Sequence, residues 1–185
     1  ARKIAVQYWP QGEGGDLRMQ NPYWIAYRNP RNTDKKRYMA NVSIAFDILP
    51  WLNVSGRAKI DNTNSIFTQK LYASSNTTIT EGSTQGHYTE IRNTDEQIYA
   101  DVMVNINKTF ADNKFSLVAN VGASINDTKS KELSYRGPIR EVGIPNMFTV
   151  FDLDKEKSRA QKYGWQEQTQ SIFASVEMGY KSMLY

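Results

Sequence analysis

Apolar and polar residues alternate along most of the chain with a period of two rather than 3.6. In residues 38–48, every second residue is apolar, and similar runs occupy 52–73, 98–106, 115–125 and 172–180. Such alternation is typical of β-strands that present one apolar and one polar face. The pattern predicts an all-β fold, an antiparallel meander of about six strands with long loops, whose sixth strand begins near Met183.

The second of these strands shows why the pattern alone is ambiguous. In "LNVSGRAKID", Leu52 and Val54 lie on one face, whereas Arg57, Lys59 and Asp61 lie on the other. In a water-soluble protein the charged face would be the outer one. In a transmembrane barrel the same face would line a wet interior, because the apolar residues then face lipid.

The connections between the predicted strands alternate in length. Short turns are predicted at "LPW", "FADNK" and "YKS", whereas polar segments of about 20 and about 40 residues separate the second strand from the third and the fourth from the fifth. Short turns at one end and long loops at the other are typical of outer-membrane barrels. A soluble β-sandwich remains the alternative, although such folds usually turn every 8–12 residues.

Composition narrows the choice of protein class. The mean hydropathy is -0.62, and no stretch approaches the roughly 18 consecutive apolar residues of a membrane-spanning helix, so a helical membrane protein is excluded. The chain has no cysteine, and hence no disulfide or thiolate site. Its formal net charge of +4 comes from basic residues mixed with acidic ones, so we expect no nucleic-acid partner.

Residues 1–37 are dense in proline, glycine and aromatic residues and are predicted to form a loop segment. Trp9, Tyr23, Trp24 and Tyr27 crowd this segment. Aromatic planes bind the C–H faces of sugar rings, so these four residues are candidates for substrate binding. The alternative is that they pack the segment against the wall of a barrel or against a partner protein that covers it.

Candidate catalytic and metal-binding patterns are weak, and we predict no catalytic residue, no metal site and no cofactor. His87 lies in the polar stretch "EGSTQGHYTE" without a neighbouring nucleophile, which predicts a solvated loop histidine. "GEGGD" lacks the lysine of a phosphate-binding loop. Asp152, Asp154 and Glu156 only half resemble a calcium loop, and the lysines between them favour a solvated charged loop.

Several stretches together resemble a known family. They are "QNPYWIAYRN", "DILPWLNVSGRAKIDNTN", "QKLYASSNT", "YADVMVNINKTFADNKFSLVANVGASINDTK", "IPNMFTVFDLD" and "QTQSIFASVEMGYKSMLY". In this order they resemble the barrel region of SusC/RagA-like TonB-dependent transporters of Bacteroidetes. The resemblance runs from about Gln20 to Tyr185 and carries no information on the substrate.

The resemblance implies part of a 22-stranded barrel in the outer membrane of a Gram-negative bacterium. Residues 1–37 would then be an extracellular loop segment, and 38–185 the strands and loops of a single partial domain. An excised piece would instead roll or sandwich its sheet, because six strands cannot close such a cylinder. The implied activity is import of oligosaccharides or other nutrients, without enzymatic function.

The implied partners are a SusD-like surface lipoprotein, the plug domain of the same full-length protein and outer-membrane lipid. TonB would be contacted only through N-terminal parts that this sequence does not contain. Trp51, Tyr185 and Tyr38 suit an aromatic girdle at the membrane interface. Arg57 and Glu177 are candidates for an ion pair. The residues that would line the lumen are Arg57, Lys59, Asp61, Asp101, Asn105, Asn107, Asn120 and Glu177.

A second hypothesis is a soluble β-sandwich module that binds carbohydrate. It predicts a monomer that is stable without detergent. The barrel hypothesis instead predicts that the isolated chain aggregates, associates or requires detergent.

Overall fold

A computed structural model describes residues 21–112 and 114–181. In this part of the chain, five antiparallel strands form one sheet in the order β1-β2-β3-β4-β5. The all-β meander predicted from the sequence is therefore confirmed, while the sixth strand predicted near Met183 lies outside the described residues. The strands are β1 Arg31–Leu49, β2 Leu52–Tyr72, β3 Gly86–Phe110, β4 Phe115–Pro138 and β5 Arg159–Tyr180.

In the described part of the chain, two short helices accompany the sheet. The helix α1, Pro22–Arg28, begins after Asn21, whose side chain accepts a hydrogen bond from the Tyr23 amide at 3.0 Å. Pro22 suits the first helical position because its missing N–H would have no partner there. A single 3-10 turn covers Val150–Asp152. Among the described helices, none is both long and apolar enough to cross a membrane.

The connections alternate in length as the sequence predicts. Two residues join β1 to β2, and residues 111–114 join β3 to β4, whereas 73–85 and 139–158 form the long connections. β1 begins at Arg31, within the segment predicted as loop, and α1 occupies another part of it. Residues 31–37 are all polar, so this part of the strand shows no alternation of apolar and polar residues that could have predicted it.

The chain divides into two compact units, and each strand contributes one segment to each. The first, here called the loop unit, contains the described residues of 1–36 together with 64–94 and 131–164, and it carries both long connections. The second, here called the turn unit, contains the described residues of 37–63, 95–130 and 165–185, and it carries the short turns.

The loop unit has a small buried core made by the two long connections. Ile139 is completely buried and forms an antiparallel bridge with Leu153, which is 5% exposed. The hydroxyl of Ser83 donates to the Ile139 carbonyl at 2.6 Å, and that of the buried Thr80 donates to the Ser83 carbonyl at 2.6 Å. These contacts order both long connections.

Gly86 closes this core at the start of β3. Its φ of +116° is strained for any residue with a Cβ, and a Cβ placed there would lie 2.6 Å from the Leu71 carbonyl oxygen. Only glycine therefore allows β3 to approach β2 this closely at that point.

The turn unit lacks such a core. Among its described residues, Ala119 is the only buried apolar side chain. The buried polar residues of this unit are Asp61 and Asp101. The turn unit therefore buries carboxylates and exposes apolar side chains, whereas the loop unit buries apolar side chains.

Candidate functional site

The apolar face of the turn unit is exposed on all five strands. Tyr38, Phe46, Val102 and Ile172 are 64%, 67%, 49% and 87% exposed. Each belongs to an alternating run, so these side chains share one face of their strands. The other large, exposed apolar residues on this face of the turn unit include Val42, Ile44, Ile48, Ile60, Ile98, Phe115, Val121, Val176, Met178 and Tyr180.

The height of this apolar band can be read from β1. Ten residue steps separate Tyr38 from Ile48, or about 33 Å along a strand. A strand inclined by about 40°, as in transmembrane barrels, would turn that length into a band about 25 Å tall. The band therefore matches the apolar layer that such barrels present to lipid.

The opposite face of the turn unit carries charge pairs between neighbouring strands. Arg57 Nε lies 2.9 and 3.2 Å from the two carboxylate oxygens of Asp101, whose side chain is only 2% exposed. Arg37 makes a two-point contact with Asp61, at 2.8 and 2.5 Å, and Lys59 Nζ lies 3.7 Å from the same carboxylate. Both buried carboxylates are thus neutralised by arginine.

These contacts correct the predicted partner of Arg57 and add Arg37 to the residues of the polar face. Arg57 pairs with Asp101 rather than with Glu177, because Asp101 lies on the adjacent strand whereas β3 and β4 separate Arg57 from the strand of Glu177. Arg37 lies in the segment 1–37, for which the sequence predicts a loop. In the run 38–48 the polar face carries the odd-numbered residues, so continuing that alternation by one residue would have placed Arg37 on the polar face.

Amide side chains complete this polar face. Asn105 Nδ2 donates to Asn53 Oδ1 at 3.1 Å, and Asn120 Nδ2 donates to Ser175 Oγ at 3.1 Å. Asn107 bonds the Trp51 carbonyl through its backbone N–H at 2.9 Å. The structure thus joins most of the predicted lumen residues to polar neighbours, while their position in a lumen stays a prediction.

Solved structures share this fold. The chain matches a chain of the RagAB peptide transporter with a TM-score of 0.74 and 15% identity, over 89% of this chain and 18% of that one. Structures of the RagAB peptide importer in its "open-open" and "closed-closed" states give TM-scores of 0.71 and 0.70, each with 15% identity over 95% of this chain and 19% of theirs. The chain has the fold of a fragment of a β-barrel transporter.

The likeness lies in the fold rather than in the sequence. The chain spans less than a fifth of the length of the transporter chains that it matches. No protein-family model matches the sequence, nor does any curated protein.

The four aromatic residues predicted to bind substrate have different environments. Trp24 is 6% exposed, so its ring packs inside the loop unit and has no open face for a sugar. Tyr23 and Tyr27 are 41% and 65% exposed and lie one turn apart on α1. Trp9 lies outside the described residues. The structure thus favours the packing alternative for Trp24 and leaves substrate binding as a prediction for the two tyrosines.

His87 differs from its prediction as a solvated loop residue. It lies in β3, 5% exposed, beside a cavity of about 670 Å³ in the loop unit that Glu81, Arg136 and Leu71 also line. Burial, helped by the positive charge of Arg136, lowers its pKa despite the Glu81 carboxylate 3.8 Å from Nε2. The prediction was wrong because the connections around His87 fold into a core that the polar sequence did not reveal.

The carboxylates considered for calcium have other partners. Asp152 accepts hydrogen bonds from Thr149 Oγ1 at 2.6 Å and Arg140 Nη2 at 2.8 Å, and these contacts lower its pKa. Asp154 accepts from the backbone amides of Glu156 and Lys157. Among the described residues, no cluster of acidic, histidine or cysteine side chains could hold a metal ion. Their contacts give these carboxylates a role in ordering the long connection.

Proposed function

We propose that this chain is a wall segment of a TonB-dependent outer-membrane transporter of the SusC type. The apolar band of the turn unit would face lipid, and the face that bears Arg57 and Asp101 would face the interior of the barrel. The transporter would import oligosaccharides or peptides, and this segment would contribute wall and loops without catalysis.

The observation that carries this proposal is that the turn unit exposes its apolar side chains and buries two of its carboxylates. A sheet that exposes Phe46, Ile172 and Met178 to water loses about 25 cal/mol for each Å² of apolar surface left unburied. The same unit buries the charged side chains of Asp61 and Asp101. Lipid outside and a polar interior reconcile both features, because each face then meets its favourable solvent.

The free edges of the sheet fit the same proposal. In the described sheet, β1 and β5 each have a neighbour on one side only, and they are 19 and 22 residues long. Edges of this length present rows of unpaired backbone groups, which lipid cannot satisfy. Further strands of the same barrel would pair with both edges.

The partner and the substrate are inferred by analogy. The matched structures are RagAB complexes described as a peptide transporter and a peptide importer. By analogy, the loop unit would face the cell exterior, where a SusD-like lipoprotein would cover it. Tyr23 and Tyr27 are the exposed aromatic residues on α1 that could contact that lipoprotein or a substrate.

A localisation and uptake experiment tests the proposal. The protein that carries this chain would be followed into membrane fractions, and its gene deleted in a strain supplied with labelled peptides or oligosaccharides. We expect the protein in the outer membrane, extracted only by detergent, and uptake that stops on deletion or when the proton gradient is collapsed. Recovery in the soluble fraction would overturn the proposal and support the carbohydrate-binding sandwich instead.

A further inference from the structure

Lys108 lies at the short-turn end of the apolar band. Its number continues the run 98–106, so its side chain projects from the same face of β3 as Val102. Its Nζ lies 4.4 Å from the centre of the Trp51 ring and 5.3 Å from that of Phe110. Two aromatic rings thus hold one ammonium group at the edge of an exposed apolar surface.

A second group of the same kind lies at the same end of neighbouring strands. Phe115 at the start of β4 and Tyr180 at the end of β5 stack with their ring centres 4.9 Å apart. Lys181 Nζ lies 5.3 Å from the centre of the Tyr180 ring, and its backbone N–H donates to the Lys114 carbonyl at 2.8 Å. The short-turn end of the sheet therefore carries lysines beside its aromatic rings, on β3, in the β3–β4 turn and after β5.

No carboxylate among the described residues pairs with the ammonium groups of these lysines. Within the described parts of the chain, neither Lys108, Lys114 nor Lys181 forms an ion pair. Of the acidic residues nearest to this end, Asp47 accepts a hydrogen bond from Asn53, Asp112 is exposed in its turn, and Glu177 lies on the opposite face of β5 from the apolar run. An external anion would therefore meet unneutralised ammonium groups beside an apolar face.

We propose that this edge, defined by Trp51, Lys108, Phe110, Phe115, Tyr180 and Lys181, binds the phosphate group of a membrane phospholipid. Lys108 is the principal donor. The rings of Trp51 and Phe110 hold its ammonium group in place, and the N–H groups that do not face the rings can donate to phosphate oxygens. The adjacent apolar band accepts the acyl chains, which a free phosphate ion lacks. The inference rests on the proposed function, because it requires the band to lie in a bilayer.

Lipid retention tests the role of Lys108. The protein that carries this chain is purified in detergent and mixed with phosphatidylglycerol or with diacylglycerol of the same acyl chains. Native mass spectrometry then measures how much of each lipid the protein retains. We expect phosphatidylglycerol to be retained in preference, Lys108→Gln to reduce its affinity about fivefold, and Lys108→Arg to keep most of it. The matched control Lys162→Gln removes an exposed lysine of the loop unit and should change nothing.

Two results would overturn the inference. One is equal retention of phosphatidylglycerol and diacylglycerol, and the other is unchanged retention in Lys108→Gln. Displacement of the lipid by an equal concentration of inorganic phosphate would also overturn it, since the site would then recognise the free ion.

Fluorescence separates this inference from the proposed function. The fluorescence of Trp51 is obtained as the difference between the emission of the unchanged protein and that of Trp51→Phe. In vesicles of phosphatidylglycerol with brominated acyl chains, we expect this Trp51 emission to be quenched. Absence of quenching would place the band outside the bilayer, so the proposed function and the inference would fall together. Quenching combined with unchanged lipid retention in Lys108→Gln would overturn the phosphate site alone.

Discussion

The loop unit and the turn unit place their apolar and charged residues in opposite ways. In the loop unit, Ile139 and Leu153 are buried, as in a water-soluble domain. In the turn unit, Phe46 and Ile172 are exposed while Asp61 and Asp101 are buried. Since the same strands pass through both units, the difference follows from what covers the strands in each unit rather than from the type of secondary structure.

The comparison shows that apolar alternation reports two faces but not the solvent that each face meets. The hydrophobic effect removes apolar surface from water, and either a protein core or a lipid bilayer serves that purpose. The loop unit uses a core, because two long connections supply the covering residues. Within its described residues, the turn unit has two short turns in place of long connections, so its apolar face must be covered by something outside this chain.

The largest effect should come from a core substitution in the loop unit, matched by the same substitution in the turn unit. Ile139→Ala removes a completely buried side chain, and we expect it to lower the free energy of unfolding by about 2–5 kcal/mol. Ile172 is 87% exposed in this chain. In a bilayer, Ile172→Ala loses the transfer of that side chain from water to lipid but leaves no cavity in a core, so it should cost about 2 kcal/mol. Urea unfolding of the protein that carries this chain, folded into lipid vesicles, measures both values. A larger cost for Ile172→Ala than for Ile139→Ala would contradict the division into two kinds of unit.

A charge placed on each face of the turn unit tests which face meets lipid. Val102 is the middle residue of the run 98–106, so Val102→Arg would place a cation near the centre of the bilayer. Its expected cost is about 2–4 kcal/mol, with poor assembly into the outer membrane. The control Asn120→Arg, on the polar face of β4, should assemble normally. If the two variants assemble equally well, the apolar face does not meet lipid.

The pair of Arg57 and Asp101 tests the polar face through an asymmetry. Asp101 is 2% exposed and Arg57 is 58% exposed. Arg57→Gln leaves a buried carboxylate without its charge partner and should cost about 1–3 kcal/mol. Asp101→Asn leaves a guanidinium that water still reaches, and it should cost about 1 kcal/mol or less. Unfolding by urea compares the two variants, and a larger cost for Asp101→Asn would show that the polar face is closed to water.

The turn unit could be predicted from the sequence better than the loop unit could. Five alternating runs and the short turn at Pro50 could be read directly, because exposed apolar residues repeat with period two. The loop unit was missed because its core depends on tertiary contacts between distant connections, such as Ser83 with Ile139. Neither residue belongs to a periodic pattern, so a polar loop was the prediction.

The candidate site shows the same limit. The charged face of β2 could be predicted from alternation, but the partner of Arg57 depends on strand order and register, which a single strand does not encode. Alternation places Asp101 and Glu177 alike on the polar faces of their strands, and the pairing with Glu177 was the prediction. Only the adjacency of β2 and β3 decides between them.

The smallest expected effect concerns the pH response of the loop unit. The pKa of His87 is lowered, chiefly by burial, with Arg136 lowering it further and Glu81 opposing. The unfolded chain therefore binds this proton more readily than the folded one. The stabilising contribution of neutral His87 is complete above its ordinary pKa of 6.5 and is lost as the pH falls below that value towards the lowered one.

Hydrogen exchange of the protein that carries this chain can measure this response in residues 73–85. We expect protection of their amides, corrected for intrinsic exchange, to decrease between pH 7.5 and pH 5. His87→Gln should remove this pH dependence, because His87 is the only histidine in the chain. Protection in the turn unit should change little over the same range, since its described residues include no histidine. A pH dependence that persists in His87→Gln would assign the response to another group.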